Sequence, residues 1–199
     1  MAANEKLSAE LLIGNIQRYL ALSEEEKNCI HSCFIIKHLP RGTHLLEEGA
    51  VCRYDAFVLT GSLKGYIVDS ASGKEEILFL AITDWWACDL ESFHNQTASS
   101  MSITAITPTT VALISRASFD ALLEKLPKLE KYFRIILQNH AVSLQRRIYF
   151  RNALDAKSRY KAFLQKYPSL NAQIPQYLIA SYLGISAEML SKIRAQKDC

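Results

Sequence analysis

The chain has 199 residues, 49% hydrophobic and 22% charged, with few glycines and prolines; this is an ordinary composition for one or two water-soluble domains. No apolar run approaches the ~18–20 residues that a membrane-spanning helix needs, and the polar start "MAANEKLSAELL" lacks a signal-peptide run, so the cytoplasm is the expected location. The net charge of +3 is uneven: residues 1–127 hold ten Lys and Arg against sixteen Asp and Glu (−6), and residues 128–199 hold thirteen against four (+9). A basic C-terminal third on an acidic body points to a polyanionic partner at one end.

The first forty residues read as short helices. Ser23 and Glu26 have the spacing of a capping box, and Lys27, Cys29, Ile30 and Cys33 follow. "HLPRG" ends this pattern. The five cysteines, Cys29, Cys33, Cys52, Cys88 and Cys199, are odd in number and scattered, as expected of reduced thiols. "CIHSC" puts Cys29 and Cys33 on one helix face near His31. No second ligand pair stands at zinc spacing, so no metal is expected.

From Thr43 to Ser115 the period changes. Short apolar runs alternate with turn residues, "DSASG" reads as a hairpin loop, and no helical period is visible inside the block. This predicts an antiparallel roll or sandwich. Ser115 is a plausible N-cap for a short helix through Phe119, Leu122 and Leu123, ending near Pro127. The longest helix is predicted from about 128 to 152. Its stripe is Leu129, Phe133, Ile136, Leu137, His140, Ala141, Leu144 and Ile148. Ile135 widens the apolar surface, so the helix needs two neighbours: the roll and a second subunit.

The final stretch, "QYLIASYLGISAEMLSKIRAQKDC", carries the most specific signal. Ile179, Ala180 and Leu183 form the inner face of a short helix, Gly184 permits a positive-φ turn, and Ile185 plugs the corner. Ser186 caps a second helix with Leu190 and Ile193 inward. Two helices joined by a glycine turn form a helix-turn-helix, whose second helix can enter the DNA major groove. The residues expected at DNA are Gln176, Ser186, Ala187, Glu188, Ser191, Lys192 and Arg194. Glu188 can accept from cytosine, and Lys192 or Arg194 can donate to guanine or phosphate.

With this match, residues 10–196 resemble the Crp/Fnr family of bacterial transcription regulators, and are similar to its shorter members from Bacteroidetes-type bacteria. The roll signature is "LPRGTHLLEEGAVCRYDAFVLTGSLKGYIVDSASGKEEIL". The resemblance implies an α+β chain: a cyclic-nucleotide-binding-type sensor domain at 1–127, its β-roll at about 36–115; a dimerisation helix at 128–153; and a helix-turn-helix domain at 154–199. It implies a homodimer on a palindromic operator in double-stranded DNA, with RNA polymerase as a further partner and Leu129, Phe133, Ile136, Leu137, His140 and Leu144 at the dimer contact. Six residues follow Ile193, so the β-wing that many relatives add is not expected, and phosphate contacts fall to residues such as Lys157, Arg159 and Lys161.

In cyclic-nucleotide-binding members a Gly-Glu pair, and an Arg about ten residues later followed by Ser or Thr, hold the ribose and cyclic phosphate. Here Cys88 and Asp89 fall on the Gly-Glu positions, Leu90 follows, and Ser99 and Ser100 stand where Arg and its neighbour are expected. No Lys or Arg occurs between Lys74 and Arg116. A phosphate would meet Asp89 and Glu91 without a guanidinium, so cAMP is not the expected ligand. Three readings stay open. The pocket takes an uncharged or cationic small effector, or it is collapsed with Trp85 and Trp86 as core, or Cys88 reports redox state.

An enzyme is not expected. His44 with Glu47 and Glu48 lacks the second histidine of a cupin-type metal set, His94 is isolated, and no catalytic triad, P-loop or dinucleotide fingerprint occurs. The other class that fits is a signalling or interaction module without specific DNA readout.

Overall fold

A computed structural model describes residues 2–196, with side chains from residue 10 onward. Cys199 lies outside the described residues. The chain begins with α1 (Ala2–Gln17) and α2 (Glu24–Cys33). The capping box forms as the spacing predicted: Glu26 N–H donates to Ser23 Oγ (3.3 Å) and Ser23 N–H to Glu26 Oε2 (2.7 Å). The helical pattern ends earlier than "HLPRG". Strand β1 (Ile35–Leu39) already starts after Phe34, because it pairs along its whole length with Leu113–Thr109.

The remaining strands are β2 (His44–Leu46), β3 (Tyr54–Thr60), β4 (Ser62–Val68), β5 (Glu75–Ile82), β6 (Trp86–Ala87), β7 (Ser102–Ala105) and β8 (Thr109–Ser115). They form two antiparallel four-stranded sheets, ordered β1-β8-β3-β6 and β2-β7-β4-β5. The core lies between them. Ala56, Phe57 and Val58 of β3 are all fully buried, a continuous run rather than an alternation. The reason is that Leu12, Ile16, Phe119, Leu122 and Tyr132 from flanking helices belong to the same apolar cluster, so β3 is covered on both faces. "DSASG" does join β4 to β5: Asp69 accepts from Ala71 and Ser72 N–H, and Gly73 takes φ 67°.

One element was missed inside this block. Helix α3 (Leu90–Asn95) interrupts the strands, capped by Asp89 and ended by Gln96 in the left-handed region. Six residues are too few for an apolar period to register.

Ser115 caps α4 (Arg116–Lys125) through Ser118 N–H, as expected. The long helix is α5 (Leu129–Ala153). Its stripe divides in two. Leu129 is buried in the roll core, and Phe133 and Ile136 rest half-buried against it. Leu129 is thus enclosed within the chain, and Phe133 and Ile136 keep part of their surface exposed. Leu137, His140, Ala141, Leu144 and Ile148 face outward, with Leu137, Leu144 and Ile148 exposed by 43%, 41% and 62%. The start of α5 is pinned. Trp86 Nε1 donates to Tyr132 Oη (2.8 Å), and Tyr132 in turn donates to Asn15 Oδ1 (2.7 Å).

The C-terminal helices are α6 (Ala156–Lys166), α7 (Pro168–Gln173), α8 (Gln176–Leu183) and α9 (Ala187–Ala195). Tyr160, Phe163, Leu170, Ile174, Leu178, Ile179, Leu190 and Ile193 form their core, which is continuous with Tyr66, Ile77, Leu80, Ile82 and Ile106 of the roll. Helix α8 thus docks on β5. Ile77 N–H donates to Ser181 Oγ (3.2 Å), and Ser181 Oγ donates to Glu75 O (3.2 Å).

Candidate nucleic-acid interface and sensor cassette

Helices α8 and α9 meet at the expected turn. Gly184 sits at φ 67°, Gly184 N–H bonds Ser181 O (2.9 Å) and Ile185 N–H bonds Ala180 O (3.0 Å). This pair of bonds is a Schellman close, which places a residue without Cβ strain at the left-handed position. Ser186 then caps α9 by accepting from Met189 N–H (3.1 Å). Leu190 and Ile193 are buried, so the opposite face, with Ala187, Glu188, Ser191, Lys192 and Arg194, stands in solvent. Glu188 is held below the usual carboxylate range by its own backbone N–H, then by Ser186, with Lys74 and Lys192 adding to it. It is therefore a charged acceptor at neutral pH.

Gln176 departs from this face. It is half-buried, and its amide donates to Asn171 O (3.4 Å) and Oδ1 (3.3 Å), inside the α7–α8 corner. Arg159 is also engaged inwardly, donating to Leu183 O (2.8 Å) at the end of α8. Lys157 and Lys161 are exposed. Arg159 capping a helix end was not readable from spacing, since the two groups are 24 residues apart.

The cassette is closed on itself. Asp89 caps α3 through Ser92 N–H (3.2 Å), and its other oxygen lies 2.6 Å from Ser99 Oγ. Ser99 is buried, its hydroxyl proton serves Asp89, and it accepts Met101 N–H (3.1 Å). Its backbone pairs with the loop before β3: Gly49 N–H to Ser99 O (2.8 Å) and Ser99 N–H to Ala50 O (2.9 Å). The α3 N–H groups face a carboxylate that the chain itself supplies. Of the remaining residues singled out here, Cys88 and Leu90 are half-buried and Ser100 is exposed.

Two groups beneath the cassette were not foreseen. Cys52 Sγ lies 3.9 Å from Cys88 Sγ. The Cys88 thiol bond, then the Asp89 N–H, pull the Cys52 thiol down, while donation to Cys52 and burial push Cys88 up. Asp55 is fully buried, with Oδ1 lacking a partner, and burial pushes it up to about 8. Both lie over thirty residues from Cys88 in sequence, and only the β3–β6 pairing brings them together. The tryptophans are walls of different cores. Trp86 packs edge-on to Phe57 (5.3 Å) and Phe133 (5.5 Å), and Trp85 packs on Tyr167 of the C-terminal domain (5.5 Å). Among the described residues, no group of His, Cys, Asp and Glu has the arrangement of a metal site. No helix among them is long and apolar enough to cross a membrane.

Residues 36–126 match the family model for the cyclic nucleotide-binding domain. The chain carries a cyclic nucleotide-binding domain. No curated protein matches the sequence. Solved structures do match, over most of the chain. FixK2 from Bradyrhizobium japonicum superposes with a TM-score of 0.71 at 16% identity, over 82% of this chain and 83% of its own. The c-di-GMP-responsive global regulator CLP of Xanthomonas campestris gives 0.71 at 14% identity, over 88% and 93%. A transcriptional regulator of the Crp/Fnr family from Eubacterium rectale gives 0.66 at 18%, over 88% and 84%. The α+β architecture is therefore the Crp/Fnr fold, with the long helix α5 and the helices α6 to α9 following the matched residues 36–126.

Proposed function

We propose that the chain is a homodimeric DNA-binding transcription regulator whose cyclic nucleotide-binding domain does not take a cyclic nucleotide phosphate. The observation that carries this reading is α9. Its cap and turn are formed, its apolar residues are buried, and Glu188, Ser191, Lys192 and Arg194 point outward on one face. A buried counterface with an exposed mixed-charge face is what a recognition helix requires. The basic C-terminal third supplies the sequence-independent attraction to phosphate. The exposed stripe Leu137–Leu144–Ile148 supports pairing with a second copy, which presents two recognition helices to two half-sites.

The loss of cyclic nucleotide binding rests on Ser99. A guanidinium at this position would have to neutralise a phosphate, whereas the hydroxyl found there is bonded to Asp89. Any anion entering would meet that carboxylate. Calorimetric titration with cAMP is expected to give no heat of binding at micromolar concentration. Saturable micromolar binding would show this reading of the cassette to be wrong.

Gel shifts against a genomic fragment library test the DNA reading. The protein is expected to select a palindromic site, with affinity falling steeply as salt rises. An absence of preference for any fragment over bulk DNA would leave an interaction module instead.

A further inference from the structure

A cleft runs between the second half of α5, α6 and the end of α8. Five basic side chains line it: Arg146, Arg147, Arg151, Arg159 and Lys166. Among the described residues no Asp or Glu lines it, and none of the five forms an ion pair with a carboxylate. Such a concentration of like charge raises the energy of the empty cleft and favours an anion there. Arg159 adds a specific signal, because its Nε is buried without a hydrogen-bond partner.

The walls are aromatic. Arg147 stacks over the Tyr182 ring (4.3 Å to its centre), Lys166 lies over Tyr167 (4.9 Å), and Phe163 stands between the two tyrosines at 5.7 and 6.0 Å. Lys166 Nζ donates to Ser143 Oγ (3.2 Å), which is itself bonded to Tyr167 Oη (2.8 Å). The rings are tilted against one another and hold Arg147 and Lys166 in place beside a cleft of about 50 Å³, room for one small anionic group. No residue of α9 lines the cleft, so it is separate from the face proposed to read DNA. At 100° per residue, Ser143 and Phe150 lie on a different side of α5 from Leu137, Leu144 and Ile148, while Arg151 falls beside Leu144 at the border between the cleft and that stripe.

We propose that this cleft binds the phosphate group of a small phosphomonoester, at a site distinct from the cassette in the roll. Its position gives binding a consequence. Arg147 donates to Leu78 O and to Ile77 O (2.8 Å for the latter), holding α5 to the strand on which α8 docks. A bound anion competes for this guanidinium, so ligand binding and docking of the helix-turn-helix domain are coupled.

Calorimetry on the full chain with AMP, inorganic phosphate and a short mixed-sequence DNA duplex tests the proposal. Arg146 and Lys166 are exposed and hold no backbone carbonyl, so the pair Arg146→Gln with Lys166→Gln is the informative variant. Saturable AMP binding is expected, weakened roughly ten- to a hundredfold in that variant. It should be restored by the charge-keeping pair Arg146→Lys with Lys166→Arg and unchanged in the cassette variant Asp89→Asn. Inorganic phosphate should bind with the same dependence. The proposal is overturned by no saturable AMP binding, by binding that survives the double glutamine variant, or by binding lost in Asp89→Asn. It is equally overturned if only the duplex is bound and only the duplex is weakened, since the cleft is then a face for DNA phosphates.

Discussion

Asp89 and Glu188 are both carboxylates at the start of a short helix, yet their surroundings are opposite. Asp89 is bonded to Ser92 N–H and Ser99 Oγ, over a buried layer that holds Cys52 and Asp55. Glu188 is held by its own backbone N–H and by Ser186, with Ser191 and Lys192 beside it, and that face is exposed. The difference separates a polar cluster that stabilises the fold from one kept available for a partner. A polar cluster whose only donor is turned onto its own carboxylate has nothing to offer an anionic ligand, however dense its chemistry looks in sequence.

The comparison can be broken at four points. The largest effect is expected away from both sites, on α5. Leu144→Glu with Ile148→Glu should leave a folded monomer by sedimentation velocity and reduce affinity for a palindromic duplex by roughly 10²–10⁴-fold, because the two half-sites are no longer engaged together. Lys192→Ala comes next, with an expected loss of about 1–3 kcal/mol in DNA affinity and an unchanged melting temperature. Unchanged DNA binding would remove Lys192 from the interface.

The cassette should respond in the reverse manner. Asp89→Ala removes the cap of α3 and the Ser99 bond, and thermal denaturation should register about 1–2 kcal/mol of lost stability with DNA affinity unaltered. The smallest effect is expected from Asp55→Asn measured near pH 4, under about 1 kcal/mol, because the amide there replaces a neutral carboxyl. Its signature is instead in the pH profile. Unfolded Asp55 titrates near 4, whereas the folded carboxyl, buried, holds its proton to about 8. Between these values the folded state binds more protons, so this group makes stability fall as pH rises from about 4 to 8 and level off above. Denaturation across that range should show the fall in the wild type and a flatter profile in Asp55→Asn.

Much of this architecture was legible in the sequence because its signals are local. The Ser23–Glu26 box, the "DSASG" hairpin, the Ser115 and Ser186 caps and the Gly184 turn each depend on residues within a few positions of one another. Helix α3 was not legible, since six residues hold less than two turns. The division of the α5 stripe was not legible either: periodicity gives the apolar face of a helix but not which neighbour covers which part of it. Gln176 and Arg159 read as surface groups from their chemistry, and their actual partners at Asn171 and Leu183 depend on how α6, α7 and α8 cross. Ser99 reads in sequence as the wrong residue for a phosphate. That its hydroxyl closes onto Asp89, and that Cys52 and Asp55 lie beneath, follows only from strand pairing.

The hydrogen bonds of Tyr132 have a mechanical consequence. They clamp α5 at its root between α1 and β6, and Arg147 lies fifteen residues further along, about 22 Å at 1.5 Å per residue. The helix is thus a lever with its fulcrum at Tyr132 and its latch at Arg147. A tilt of about 10° at the fulcrum moves the latch about 4 Å over that length, more than a hydrogen bond tolerates. The latch therefore either holds or lets go. A small rearrangement around Trp86 would reach the C-terminal helices as a switch between two positions rather than as a graded strain.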